Sequence, residues 1–321
     1  MNIEIIKCHG SGNDFILIDE MKHHYSFTEE ERKKLSLVLP NRMNGIGSDG
    51  ILFVLPSDKA AARMRMFNSD GTEAEMCGNG LRCVARHIIE KTGSSPVKIE
   101  TDKAVLQVAQ VEEIYPGIDT FSVAIEPVSF NVDTLPMDFE NSTAVDVSIP
   151  ELSEEMTFTA LSVPNPHIVA MLDSYDEKEL YAIGQKANNL PQVFPNGVNV
   201  SFVKSLAKNK IFVQTYERGV GLTNACGTAM SASSLVSTIL TSNDLHTPIV
   251  VMNKGGLVNC LVEKERDEYS IQLRGNGTYV YQAAIEVNIH EGTWKFTRDP
   301  VYFQKEIDTY ETLKDYAASQ S

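Results

Sequence analysis

The chain carries a faint echo of itself, and a duplicated architecture narrows the possible folds more than any local pattern does. Asn68 stands nine positions before Cys77, and Glu217 stands nine positions before Cys226. Each segment, from Met66 and from Thr215, has an extended apolar stretch, then a glycine-containing turn, then a Cys-Gly step that opens a helix-like run. Asn13 and Asn165, within His9–Asn13 and Val163–His167, keep a shared offset of 152 (165 − 13). Gly45-Ile46-Gly47 and Gly197-Val198-Asn199 keep the same offset of 152 (197 − 45). Three landmarks in the same order predict two domains of one topology.

Coarse periodicity fills in those domains. Thr28 followed by Glu29-Glu30-Glu31 reads as a capping box opening a helix that runs to about Leu39, before Pro40. Gly78–Lys91 reads as a helix with Leu81, Val84, Ala85, Ile88 and Ile89 on one face and Gly93 as its stop. Asp176–Asn188 and Gly227–Leu240 read as helices of the second half, and most of the rest as short strands. Many strands with few helices predict an α+β class: two pseudo-symmetric domains, each a curved, mostly antiparallel sheet around a central helix. The predicted boundaries are 1–128, completed by a strand near 279–288, then 129–278, then an extension over 289–321 of unread role. The Pro-, Asp- and Asn-rich stretch Glu126–Ser142 reads as the linker.

Composition excludes several classes of function. With 321 residues, 42% apolar and 22% charged, the profile is that of a globular protein with enough chain for two domains. A net charge of -15 without a basic stripe leaves no nucleic-acid footprint. No apolar run has membrane-spanning length, and the N-terminus lacks signal-peptide character, so a cytoplasmic setting is expected. Five cysteines, an odd number without a C-x-x-C pair, read as free thiols. Cys8, Cys83 and Cys260 read as small buried hydrophobes.

Cys77 and Cys226 are different because each stands at a predicted helix start. Unpaired N–H groups and the positive end of the helix dipole attract a carboxylate and favour thiolate over thiol. Gly78, Gly80 and Gly227 leave room for a ligand against the backbone. Inverting an amino-acid α-carbon needs a base on one face and an acid on the other, with the developing enolate-like charge stabilised. A thiolate and a thiol facing each other supply both roles and exchange them at each turnover.

These residues sit within a set of ordered motifs: His9–Phe15, Gly45–Asp49, Phe67–Gly71, Cys77–Cys83, Asn165–His167, Gly197–Val200, Glu217–Gly221 and Ala225–Thr228. From about Ile3 to Val287 the chain resembles the diaminopimelate epimerase family of the lysine and cell-wall pathway. The resemblance implies two similar domains, no pyridoxal phosphate, no metal and a homodimer. It implies that Cys77 and Cys226 are the acid–base pair. It implies that Gly78, Asn79, Gly227 and Thr228 hold the reacting carboxylate. Asn13, Asn68, Asn165, Asn199, Glu217 and Arg218 would bind the substrate, an amino acid, and His167 and Glu217 would tune the thiols. Asparagines can meet an ammonium and a carboxylate together, and Arg218 can clamp a carboxylate. The chain departs from the family at Leu222, commonly Glu; at Gly50, often Gln; at Ala229, commonly Gly; and at Cys8, commonly Met. The first two weigh on substrate identity. A two-thiol racemase of another amino acid such as histidine, and a silent amino-acid-binding homologue, are the competing readings.

Overall fold

The computed structural model describes residues 1–23, 25–74, 76–174 and 176–319. The chain divides into two compact units, Met1–Val123 with Gly275–Leu313, and Ala124–Arg274 with Lys314 onwards.

The first unit opens with β1 (Asn2–Gly10), β2 (Asn13–Asp19), α1 (Glu20–His23) and α2 (Glu29–Val38). It continues through β3 (Gly50–Leu55), β4 (Ala62–Asn68), β5 (Glu73–Ala74), α3 (Gly78–Thr92), β6 (Val97–Glu100), β7 (Val105–Val111) and β8 (Thr120–Ile125). The second runs through β9 (Val147–Ile149), β10 (Ser153–Ser162), β11 (Pro166–Met171), α4 (Glu177–Asn188), β12 (Asn199–Ala207) and β13 (Lys210–Glu217). It ends with β14 (Gly221–Thr223), α5 (Gly227–Leu240), β15 (Pro248–Asn253), β16 (Gly256–Glu265) and β17 (Glu268–Asn276).

Strand pairing is the same in both. In the first unit β1–β2 is antiparallel, β2–β3 parallel, β3–β4 and β4–β5 antiparallel, β4–β6 parallel, and β6–β7 and β7–β8 antiparallel. In the second, β10–β11, β11–β12, β12–β13, β13–β14, β13–β15, β15–β16 and β16–β17 repeat that series in the same order and sense. The central helices repeat it too. α3 packs on β1, β2, β3, β4, β6 and β7, and α5 on the corresponding β10, β11, β12, β13, β15 and β16.

One landmark shifts. Strand register sets Gly50 opposite Asn68 and Asn199 at the level of Glu217, adjoining the Val200–Tyr216 pair. The equivalent of Asn199 is therefore Gly50, at the offset of 149 (199 − 50) that also relates the cysteines (226 − 77), and not Gly47. The two loops preceding these strands differ in length, which sequence matching alone could not absorb.

Local signals explain the element ends. The capping box is formed: the Glu31 N–H donates to Thr28 Oγ1, and the Thr28 N–H donates to the Glu31 carboxylate. Gly93 closes α3 in the left-handed region at φ 67, where a Cβ would be strained. Alternate residues Ile3, Ile5, Ile16 and Ile18 point into one apolar cluster with Phe53 and Ile285, as strand pleating requires. The second cluster gathers Phe158, Ile168, Leu180, Val200 and Phe202. α5 is buried with its serines: Ser231, Ser234 and Ser237 return their hydroxyls to backbone carbonyls of the preceding turn, while the buried Ser233 hydroxyl finds no such acceptor.

One sequence expectation is corrected. Glu126–Ser142 is not a plain linker: Val132, Leu135 and Met137 are buried in the second cluster. β18 (Thr278–Asn288) pairs with β1, and in the extension of unread role β19 (Thr293–Tyr302) pairs with β18. α6 (Gln304–Ala318) follows, and its Tyr310 ring meets His9 edge-on at 4.3 Å. The last two residues of the extension lie outside the described ones. No described helix is long and apolar enough to cross a membrane.

Candidate active site

In the first unit β4 ends at Asn68 and the chain turns through Gly71, at φ 84, before reaching Cys77. Cys77 is the N-cap of α3: its backbone is extended and its Sγ accepts the Gly80 N–H at 3.3 Å. That bond is of the kind that stabilises a thiolate. A side chain at 80 would run into Leu52 at 2.7 Å and lie 3.4 Å from Cys77 Sγ, so glycine keeps the sulfur's surroundings open. Asn13 Oδ1 lies 4.0 Å from the sulfur and accepts Asn79 Nδ2 at 3.3 Å. Cys77, Asn79 and Asn13 are thus one cluster. Asn68 spends its amide N–H on Thr72 Oγ1 at 3.0 Å, bracing the turn.

In the second unit β13 ends at Glu217, and Cys226 is the N-cap of α5. Here the sulfur makes no cap bond as close as the one at Cys77; it lies 3.5 Å from Thr228 Oγ1, with the Ala229 N–H and the Glu217 carboxyl also within reach. The sulfur is buried, and burial pushes the thiol well above its usual range, with the Glu217 carboxyl raising it further. The Glu217 carboxyl is itself raised by burial, opposed by its bonds to Thr223 and Cys226. This overturns the expectation that both helix ends lower their thiols. At Cys226 desolvation and a like charge outweigh the helix end.

A second cluster in this unit links Asn165, His167, Asn199 and Arg218. His167 Nε2 meets Asn165 Oδ1 at 3.0 Å, and Asn199 Oδ1 accepts the Arg218 N–H at 2.9 Å while its Nδ2 donates to the Pro166 carbonyl at 3.1 Å. The Arg218 side chain is exposed, lining an open groove with Tyr216, Phe194 and Val220. His167 is fully buried, and burial, with the Arg218 charge, pushes it down to about 3. A ring that stays neutral acts on its neighbours by hydrogen bonding, not by charge.

The His167 shift makes a testable statement about stability. Its folded-state value lies below the unfolded one, so the unfolded chain binds the extra proton between about pH 6.5 and 3 and stability falls as pH drops through that window. The loss approaches about 1.4 kcal/mol per pH unit. His167→Gln is expected to flatten that part of the curve, as read by urea midpoints at pH 7 and 4.5. An unchanged slope would assign the acid loss to other groups.

Of the four family departures, the two that weigh on substrate identity sit in packed surroundings. Leu222 packs against the second apolar cluster. A Cβ at Gly50 would overlap the Phe67 carbonyl, so this chain has no room there for a longer side chain. Cys8, Cys83 and Cys260 are thiols outside any disulfide and fully buried. Among the described residues no cluster of His, Cys, Asp or Glu could hold a metal ion. Sequence reasoning passed over Asp49, whose carboxylate accepts Asn13 Nδ2 at 2.6 Å, and Arg82, which donates to Asn79 Oδ1 at 3.0 Å. Both lie inside quoted motifs. A charge between Leu81 and Cys83, on a helix whose apolar face is read as buried, was the available signal for Arg82.

The family model for diaminopimelate epimerase matches residues 5–115 and 159–280. A diaminopimelate epimerase of Clostridium acetobutylicum is 45% identical over 98% of this chain and 95% of its own length. One of Enterococcus faecalis is 45% identical over 88% of each chain. Among solved structures, a Bacillus anthracis phenazine biosynthesis protein of the PhzF family superposes with a TM-score of 0.66 at 17% identity, covering 89% of this chain and all of its own. A hydroxyproline epimerase from Agrobacterium vitis gives 0.59 at 13% identity, over 88% of this chain and 91% of its own. At such identities the structural likeness speaks for the fold alone. The sequence matches, spanning both cysteine-headed helices, are what decide kinship: the chain belongs to the diaminopimelate epimerase family.

Proposed function

We propose that the chain interconverts LL- and meso-diaminopimelate without pyridoxal phosphate, by moving a proton between Cys77 and Cys226. The observation that carries this reading is the equivalent position of the two thiols. Each caps the central helix of one of two topologically matched units, in a chain whose relatives are named for this reaction. In the resting enzyme Cys226 is the protonated partner, held so by burial and Glu217. Cys77, with the Gly80 N–H on its sulfur, is the base.

Proton abstraction by Cys77 leaves a planar carbanion, and the Cys226 thiol delivers a proton to the opposite face. The N–H groups of Gly78, Asn79, Gly227 and Thr228 take the reacting carboxylate and the charge that grows on it. Asn68, Asn165, Asn199, Glu217 and Arg218 serve the distal amino-acid head, Arg218 as the carboxylate clamp. In this reading the enzyme is a cytoplasmic homodimer.

Substrate choice is tested with LL-diaminopimelate against single-headed amino acids, histidine included. Arg218→Leu is expected to raise KM about tenfold or more, the loss of a charged hydrogen-bonded pair. Turnover of histidine with no diaminopimelate epimerised would refute the assignment.

A further inference from the structure

We propose that Asp49 and Arg82 are positioning residues that fix which pole of the Asn13 amide faces Cys77. The proposal rests on the reading of Cys77 as an acid–base group.

All the residues concerned belong to the first unit. The Arg82 guanidinium is fully buried on α3 and donates to Asn79 Oδ1 at 3.0 Å and Ser11 Oγ at 2.8 Å, and through Nε to the Asn276 carbonyl at 3.0 Å. A guanidinium has only donors, so Asn79 must present its oxygen to it and its NH2 the other way. That NH2 donates to Asn13 Oδ1 at 3.3 Å. At the far end Asn13 Nδ2 donates to Asp49 Oδ2 at 2.6 Å. An ionised carboxylate only accepts, so a flipped Asn13 would set oxygen against oxygen there and NH2 against NH2 at Asn79.

The carboxylate is itself held. Arg42 Nη2 bridges Asp49 Oδ1 and Asp14 Oδ1, each at 2.7 Å, and the Asp14 N–H donates to Asp49 Oδ2 at 3.0 Å. A cation at one end and an anion at the other therefore dictate the same direction for both amides. Such head-to-tail chains also strengthen each other's bonds.

The consequence falls on the sulfur. The clamp aims an oxygen at Cys77 Sγ, 4.0 Å away. Oxygen accepts from S–H and repels a thiolate, whereas an NH2 there would favour the thiolate. The clamp thus offsets the Gly80 N–H and the helix end, and keeps the sulfur basic enough to take a proton from carbon.

Asp49→Asn tests this with little change of shape. With Arg42 holding the new amide's oxygen, its NH2 would face Asn13 Nδ2 and the Asp14 N–H, which removes the acceptor that fixes the direction of Asn13 and frees its amide to turn. Cys77 alkylation by iodoacetamide, followed across pH by mass spectrometry of the Cys77 peptide, reads the thiol directly. The expected result is a midpoint lower by about half a pH unit or more in Asp49→Asn, with no such shift when the same change is made in Asn13→Ala. Dependence on Asn13 separates positioning from simple loss of charge. Equal shifts in both backgrounds, or none in either, would overturn the proposal. Asp49→Ser, whose hydroxyl can accept or donate, releases the clamp and is read the same way should Asp49→Asn not fold. The alkylation needs no substrate. A wild-type enzyme that exchanged no α-proton would therefore refute the role of Cys77 in catalysis and leave this result standing.

Discussion

Cys77→Ser and Cys226→Ser are each expected to lower epimerase kcat about 10³-fold while leaving the protein folded. A serine at 77 can still accept the Gly80 N–H, so the cap of α3 survives and the loss isolates the chemistry. The alcohol is far too weak an acid to share a proton with an α-carbon at neutral pH, and general acid–base catalysis is worth roughly 10² to 10⁴ in rate. The pair acts as a unit, so the double variant should be little slower than either single one. Thermal unfolding alongside steady-state kinetics checks both parts. A variant that kept a tenth of wild-type kcat would remove its cysteine from the mechanism.

The largest expected loss of stability lies away from the thiols, at Arg86. Its guanidinium meets the Glu306 carboxylate twice, at 2.6 and 2.8 Å, donates to Glu90 at 2.7 Å and to the Gly277 carbonyl at 2.9 Å, and sits 3.8 Å over the Tyr279 ring. Arg86→Met strips a buried carbonyl and a carboxylate of their partner. Removing one member of a buried ion pair costs about 3–5 kcal/mol, and the lower end applies because the Glu306 side chain is 27% exposed. A loss of about 3 kcal/mol corresponds to a Tm lower by roughly 6–12 °C for a unit of this size. Calorimetry reads it. A drop under 1 °C would mean that water replaces the arginine without cost.

The residues that sequence reasoning found are those whose signals are local. Thr28 and Glu31 announce α2 within four positions, Gly93 ends α3, and the two Cys-Gly steps mark the central helices, because caps and glycine act through the nearest backbone. Glu126–Ser142 misled because its apolar residues stand singly among Pro, Asp and Asn; only the fold shows that Val132, Leu135 and Met137 converge on one cluster. A completing strand near 279–288 is legible in the sequence without its partner; β18 pairs with β1 across more than two hundred positions, and no period reports that register. At Cys226 the helix start was legible and the depth of burial was not, so the direction of its titration came out reversed. Asp49 and Asn13 are far apart in sequence, and their bond needed the register of β2 beside β3.

The central claim is that the proton arriving at the inverted carbon comes from a second thiol in exchange with water. Proton NMR of LL-diaminopimelate turned over in heavy water by the wild-type enzyme tests it most directly. Each meso product molecule formed early in the reaction should carry deuterium at the inverted α-carbon. Meso product that retained the original protium there would mean one base had returned its own proton, and the two-thiol account would fall.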